Sequence, residues 1–221
     1  MRGIFHLNVT ALEPHHEFWA NTLGGCLADA HTIEFPLAQF RLAINPPSGG
    51  TKGTPLNHVA FGVPNVHDAV ALASAGGYPI VTRAELPPAL DVVDGVAFVA
   101  PLHTSVAFTM GPDEVKVEFY EVPGTDSVGL HHVHFFSPEP EQMKHWYASL
   151  FGVAPADRGP FHAVDIPNGF NLSFSQSGPV VPTKGRAIDR MAFEVDDASR
   201  FTDRRLVDPW GTSIEIEVAQ R

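Results

Sequence analysis

Four stretches of the chain alternate apolar and polar residues: GIFHLNVTA from Gly3, LNHVAFGVP from Leu56, LHHVHFFSP from Leu130 and IDRMAFEVD from Ile188. Alternation with period two, with Phe, Val, Leu or Met along one face, predicts half-buried strands. The first three run on into segments with helical spacing. PHHEFWANTLGG and EPEQMKHWYASLFG carry aromatics at one phase and end at glycine, a helix stop, and NVHDAVALASAGG follows the same plan with Ala, Val and Leu. AQFRLAINPP, DEVKVEFYEVPG, FNLSFSQSG and TSIEIEVAQR supply further strands.

The predicted unit is a strand, a helix and then several strands. It recurs over residues 3–50, 56–123 and 130–177. Such a repeat is too long and irregular for a solenoid and suits paired modules that share a sheet. EVPGTDSVG is rich in turn residues and places a linker at 124–129, between a domain of two modules (1–123) and a domain of a third module plus a shortened fourth (130–221). The shortening follows from spacing: Glu118 lies 60 residues after His58, but Glu215 only 25 after Arg190. At roughly 3.3 Å per strand residue and 1.5 Å per helix residue, that span cannot hold the whole unit. Two strands and a short connection are expected there.

Parity assigns the faces. His58, Ala60 and Gly62 share one side of their strand, and Val59, Phe61 and Val63 share the other, which should face the core. The same reasoning turns His132 and His134 together onto the polar face, with His131 on the opposite, structural one. In VKVEFYE it turns Lys116, Glu118 and Tyr120 inward, and Val117 and Phe119 outward. Phe18, Trp19, Trp146 and Tyr147 are expected as core anchors, Cys26 as a small buried residue, His15 and His16 as solvated, and His103 as a surface loop residue.

Composition narrows the partners. The net charge is −11 and no basic cluster exceeds Arg204-Arg205, so nucleic acid is not an expected partner. No apolar run approaches the roughly 18 residues of a membrane span, and no apolar leader follows Met1, so a cytoplasmic protein is expected. Cys26 stands alone and can form no internal disulfide.

The strand-helix openings NHVAFGVPNVHDAVALASAGG and HHVHFFSPEPEQMKHWYASLFG, with the closing strands MGPDEVKVEFYEVPG and DPWGTSIEIE, resemble the vicinal oxygen chelate superfamily of glyoxalases, bleomycin-resistance proteins, fosfomycin-resistance enzymes and extradiol dioxygenases. The resemblance implies an α+β fold of βαβββ modules, forming cup-shaped mixed sheets with helices on the convex side and the fourth module truncated. It implies a divalent metal held by first and last strands, whose matching positions here are Ile4, His58, His132 and Arg190, and Glu118 and Glu215. If modules one and two pair, the set is Ile4, His58 and Glu118, with His6 as a substitute. If two and three pair, it is His58, Glu118 and His132, which suits Fe(II) first, then Mn(II), Zn(II), Ni(II) or Co(II). Arg cannot ligate a metal, so Arg190 is expected to pair with Glu215 or Glu217 in the other cup.

The expectation is then a metalloenzyme that chelates vicinal oxygens of a small substrate, with dioxygenase-like or isomerase- or lyase-like chemistry. His134, His6 and Tyr120 are the candidates for proton transfer. The fourth-strand positions that would supply an extra glutamate in glyoxalase I, in QFRLAINPP and NLSFSQSG, hold no carboxylate. A metal-free binding protein of the bleomycin-resistance type is the alternative. Strands missing from module four would leave edges for a second subunit, making a homodimer the expected assembly.

Overall fold

A computed structural model describes residues 1–159, 161–167 and 169–219. The strands, in chain order, are β1 (Arg2–Val9), β2 (Cys26–Asp29), β3 (Thr32–Phe35), β4 (Ala38–Ile44), β5 (Leu56–Val63), β6 (Ala97–Val99), β7 (Thr104–Met110), β8 (Lys116–Glu121), β9 (Gly129–Ser137), β10 (Pro155–Arg158), β11 (Phe161–Asp165), β12 (Asn171–Gln176), β13 (Ile188–Val195), β14 (Arg205–Val207) and β15 (Ser213–Val218). The helices are α1 (Leu12–His15), which continues as a π-helical stretch over His16–Thr22, α2 (Val66–Ala75), α3 (Thr82–Glu85) and α4 (Pro140–Phe151). None of the described helices is long and apolar enough to cross a membrane.

The strands form two sheets, in the orders β14-β15-β13-β1-β4-β3-β2 and β10-β11-β12-β9-β5-β8-β7-β6. Module one therefore shares a sheet with module four, and module two with module three. Within each module the first and last strands are parallel neighbours: β1 with β4, β5 with β8, β9 with β12, and β13 with β15. Between modules the first strands meet antiparallel, β1 against β13 and β5 against β9.

The apolar faces of both sheets, with the helices, enclose one large core. Trp19 stacks on Phe40 with ring centroids 4.3 Å apart, and Phe35 from the first sheet reaches Phe61 of the second at 4.8 Å. Phe5, Phe61 and Phe135, from alternate strand positions, and Phe18, Trp19 and Tyr147, from the helices packed on them, have no exposed surface. The polar positions are left on the opposite, concave faces.

Three expectations need correction. His15 is fully buried rather than solvated: its Nδ1 accepts from Trp19 Nε1 at 3.1 Å, and its Nε2 donates to Asp113 Oδ2 at 3.0 Å, a partner 98 residues away. Cys26 is exposed, since β2 is the outermost strand of its sheet and all four of its residues face solvent. Module four keeps three strands, not two: the short β14 pairs with β15, while no helix stands between β13 and β14.

A polar tie joins what is left of module four to module three. Tyr147, fully buried on α4, donates its hydroxyl to Asp208 Oδ2 at 2.9 Å. The other oxygen of Asp208 accepts the backbone N–H groups of Trp210 at 3.0 Å and Thr212 at 2.7 Å. This carboxylate shapes the turn between β14 and β15 and anchors it to module three. Tyr147→Phe leaves a buried carboxylate oxygen short of a donor, which should cost about 1–3 kcal/mol. Thermal denaturation should show the midpoint falling by several degrees; an unchanged midpoint would mean the tie contributes nothing.

Candidate functional site

The centre of the second sheet is built by β5, β8 and β9. The register sets His58 opposite His134 and Ala60 opposite His132, while Glu118 lies beside Ala60 on the parallel strand. All four polar side chains turn into the cup and are more than nine-tenths buried. Glu118 Oε2 lies 3.0 Å from His58 Nε2 and 3.1 Å from His132 Nε2. One ligand atom each from His58, Glu118, His132 and His134 falls in a group whose members are all within 4.8 Å of one another.

Two β-bulges make this possible. In β5, Leu56 pairs with Phe135 and His58 with His134, so Asn57 is an extra residue. In β9, Leu130 pairs with Phe61 and His132 with Ala60, so His131 is extra. Each bulge lets an apolar residue face the core and a histidine two positions later face the cup, which strict alternation forbids. A third bulge, at Asp189 in β13, does the same for Ile188 and Arg190. The parity reading of His131 is corrected here: freed from the pairing, its side chain enters the cup. It stacks on Tyr120 with centroids 4.0 Å apart, and its Nδ1 lies 2.8 Å from His132 Nδ1. Two adjacent polar residues inside an otherwise alternating strand (NH, HH, DR) are the sequence signal for these bulges.

Each bulge residue also touches the ring or guanidinium that follows it. Asn57 Oδ1 lies 3.1 Å from His58 Nδ1. An amide oxygen only accepts, so it draws the imidazole hydrogen to Nδ1 and leaves a lone pair on Nε2. That lone pair faces Glu118, whose carboxyl stays ionised. Burial alone would raise its pKa, but the charge and hydrogen bonding of His132 oppose burial and the carboxyl is held well below the usual range. Burial also pushes His58 down to about 4, so its ring is neutral at pH 7.

A carboxylate oxygen and an imidazole nitrogen 3.0 Å apart, both presenting lone pairs, form a donor set for a cation. Ligands at about 2.1 Å and at right angles around one ion stand roughly 3.0 Å apart, and the residues present fit a divalent metal on that ground.

His134 lies beside the set, buried, with its Nε2 2.8 Å from Ser175 Oγ and its pKa held well below 6.5 by burial. The module three counterpart of Glu118 is Ser173, paired opposite His134. Where module two offers Ala60 and Glu118, module three offers His134 and Ser173. Tyr120 lines the cup beyond His132, and burial raises the pKa of its phenol. Lys116, at 1% exposure, points into the same cup between Phe108 and Phe136 and is held by Glu85.

His6 is not brought to this cluster. It stands on the first sheet, because the topology pairs module one with module four. There Arg190 Nη2 donates to His6 Nδ1 at 3.0 Å, which places the ring hydrogen on Nε2, 3.7 Å from Glu217. Arg190 pairs with Glu215 at 3.2 Å, and Arg41 with Glu217 at 2.9 Å. Glu215 and Glu217 could join His6 around an ion by distance alone. The Arg190 contact, however, removes the lone pair that Nε2 would need, and two guanidinium groups already satisfy the carboxylates.

No family model and no curated protein matches the chain. Solved structures do. Glyoxalase I from Zea mays aligns with a TM-score of 0.65 at 16% identity, over 98% of this chain and 90% of that one. A provisionally assigned dioxygenase from Bacillus subtilis aligns with a TM-score of 0.65 at 11% identity, over 99% of this chain and 84% of that one. The cppA protein from Streptococcus pneumoniae TIGR4 aligns with a TM-score of 0.54 at 9% identity, over 99% and 98%. At such identities the likeness is one of fold, and it spans the whole chain: the two curled sheets with their outer helices are the vicinal oxygen chelate fold.

Proposed function

We propose that the chain is a metal-dependent enzyme in which His58, Glu118 and His132 hold a divalent cation, Fe(II) before Mn(II), Zn(II), Ni(II) or Co(II), and a small substrate presents two vicinal oxygens to it. The observation that carries this reading is the convergence of two imidazole nitrogens on one ionised carboxylate oxygen at 3.0 and 3.1 Å. Two histidines and one carboxylate with neighbouring positions free for substrate suit oxygenase-type sites. Dioxygenase-like chemistry is therefore preferred to isomerase- or lyase-like chemistry, and the glyoxalase and dioxygenase names among the structural neighbours support the same range. When bound, the ion would supply Lewis acidity toward negative charge developing on the substrate oxygens.

The chain's own groups divide the remaining work. Asn57 orients the His58 ring through Nδ1. His134, neutral and buried, accepts a proton from substrate as general base, with Ser175 fixing its Nε2. Tyr120 keeps its phenolic proton, since burial raises its pKa, and can donate it. Phe108 and Phe136 flank His58 and keep water from the buried end of the cup. The competing reading, a metal-free binding protein, is favoured by the large apolar part of the cavity, and the first test below separates the two.

Elemental analysis of untagged protein should find near-stoichiometric transition metal, lost in His58→Ala, His132→Ala and Glu118→Gln. At free metal about 100-fold above Kd, the ion would add about 2.7 kcal/mol of stability, so chelator should lower the thermal midpoint. No metal, with full stability in chelator, establishes the binding protein instead. Oxygen uptake with catechols, against spectral loss of a glutathione hemithioacetal, then divides the reactions.

Acid should destabilise the metal-free protein. His6, His58 and His131 have folded pKa values near 4, against 6.5 unfolded, chiefly through burial. Below 6.5 the unfolded chain takes up protons that the folded one refuses. The stability is thus complete above pH 6.5 and drains away as pH falls toward 4, at up to about 1.4 kcal/mol per pH unit for each histidine. Thermal midpoints in chelator between pH 8 and pH 5 should be flat and then fall; a midpoint constant to pH 5 would contradict the burial of these rings.

A further inference from the structure

The modules differ at one joint. Three residues separate helix from next strand in modules one and three (23–25 and 152–154), whereas 21 residues (76–96) do so in module two. This insert carries α3 and, with the short turn Ala100–Leu102, forms one wall of the cup. It is a built wall. Thr82 Oγ1 donates to Gly95 O at 2.6 Å and accepts Phe108 N–H at 2.8 Å. Arg83 donates to the carbonyls of Leu86 at 2.9 Å and Pro87 at 2.6 Å. Opposite, Leu102 rests against Gly159 of module three, where an added Cβ would come within 2.8 Å of Leu102 Cδ2.

The cavity is about 840 Å³, far more than an ion and two oxygens need. Its buried end holds the His58–Glu118–His132 set. Its other end is lined by Leu86, Leu90, Val99, Leu102 and Phe161, which the core leaves half-exposed toward the cavity. Among the described lining residues the permanent cations are Lys116 and Arg158. Lys116 is held by Glu85, and Arg158 by Asp165 through two contacts of 2.8 Å. The Lys116 pair is buried, whereas the Arg158 pair lies on the exposed rim of the cup.

We infer that module two's insert is a tail-binding wall, and that the site takes a small molecule with a singly anionic, oxygen-chelating head and an uncharged apolar tail. The identity of the head rests on the metal site proposed above; the tail rests on the insert and the Ala100–Leu102 turn beside it. A divalent ion with one carboxylate leaves a single positive charge for the head to balance, and the leucine-lined end disfavours a desolvated anion on the tail.

Two titrations test this. In metal-free protein, the uncharged fluorophore N-phenyl-1-naphthylamine should bind at least tenfold more tightly than its sulfonated analogue 8-anilinonaphthalene-1-sulfonate. Leu90→Asp and Leu102→Asp, checked for native circular dichroism, should each weaken it at least tenfold, whereas Phe98→Asp, on the exposed side of β6, should not. In Zn(II)-loaded protein, alkyl hydroxamates from acetyl to octanoyl should gain about fourfold in affinity per methylene. Equal binding of the two fluorophores, a flat hydroxamate series, or indifference to the leucine variants overturns the tail. Failure to bind Zn(II), with the fluorophore results intact, overturns the metal site and leaves the tail standing.

Discussion

Strands β5 and β9 run antiparallel down the middle of their sheet, and their register decides what the cup contains. Opposed residues on such a pair lie within about 5.5 Å of each other. Pairing His58 with His134 and Ala60 with His132 therefore packs three imidazoles into two adjacent rows. The bulges at Asn57 and His131 let Leu56 and Leu130 stay in the core while the following histidines turn the other way. Both bulge residues then contact the ring they have re-aimed, so the device that breaks the alternation also fixes the side chain it exposes.

The same scaffold carries opposite electrostatics in its two cups. Glu118 lies beside Ala60 in one, and Arg41 beside His6 in the equivalent place of the other. His132 corresponds in the same way to Arg190, each following a bulge. One cup thus gathers acceptors around a buried carboxylate. The other sets guanidinium donors against Glu215 and Glu217 and is neutralised from within. Buried charge is tolerated only when paired, and the two cups meet that condition with different chemistry.

Much of this was legible in the chain. Alternation located the first strand of every module and the inward sides of β5 and β8, and spacing revealed the truncated fourth module. What escaped were matters of long-range geometry. Parity gave His131 the wrong face because a bulge is a defect in the very periodicity being read. His15 looks solvated until Asp113, far along the chain, arrives beside it. Cys26 looks buried until β2 proves to be an edge. Whether His6 joins His58 depends on which modules share a sheet, and local pattern does not encode that choice. The long joint of module two was visible as sequence between helix and strand, but only the fold brings its Leu86 and Leu90 to the cup.

Module four has lost its helix but kept β13 and β15, and the first sheet shows what those strands do. β13 lies along β1, with Arg2 standing opposite Glu194. These partners are 192 residues apart, and until β13 is made β1 has only β4 beside it. Closing so long a loop costs entropy before any contact repays it, so this sheet is completed late in folding. A chain ending after module three would leave β1 with a bare row of amides and carbonyls open to pairing with other chains. The part of module four that survives is the part that seals that seam.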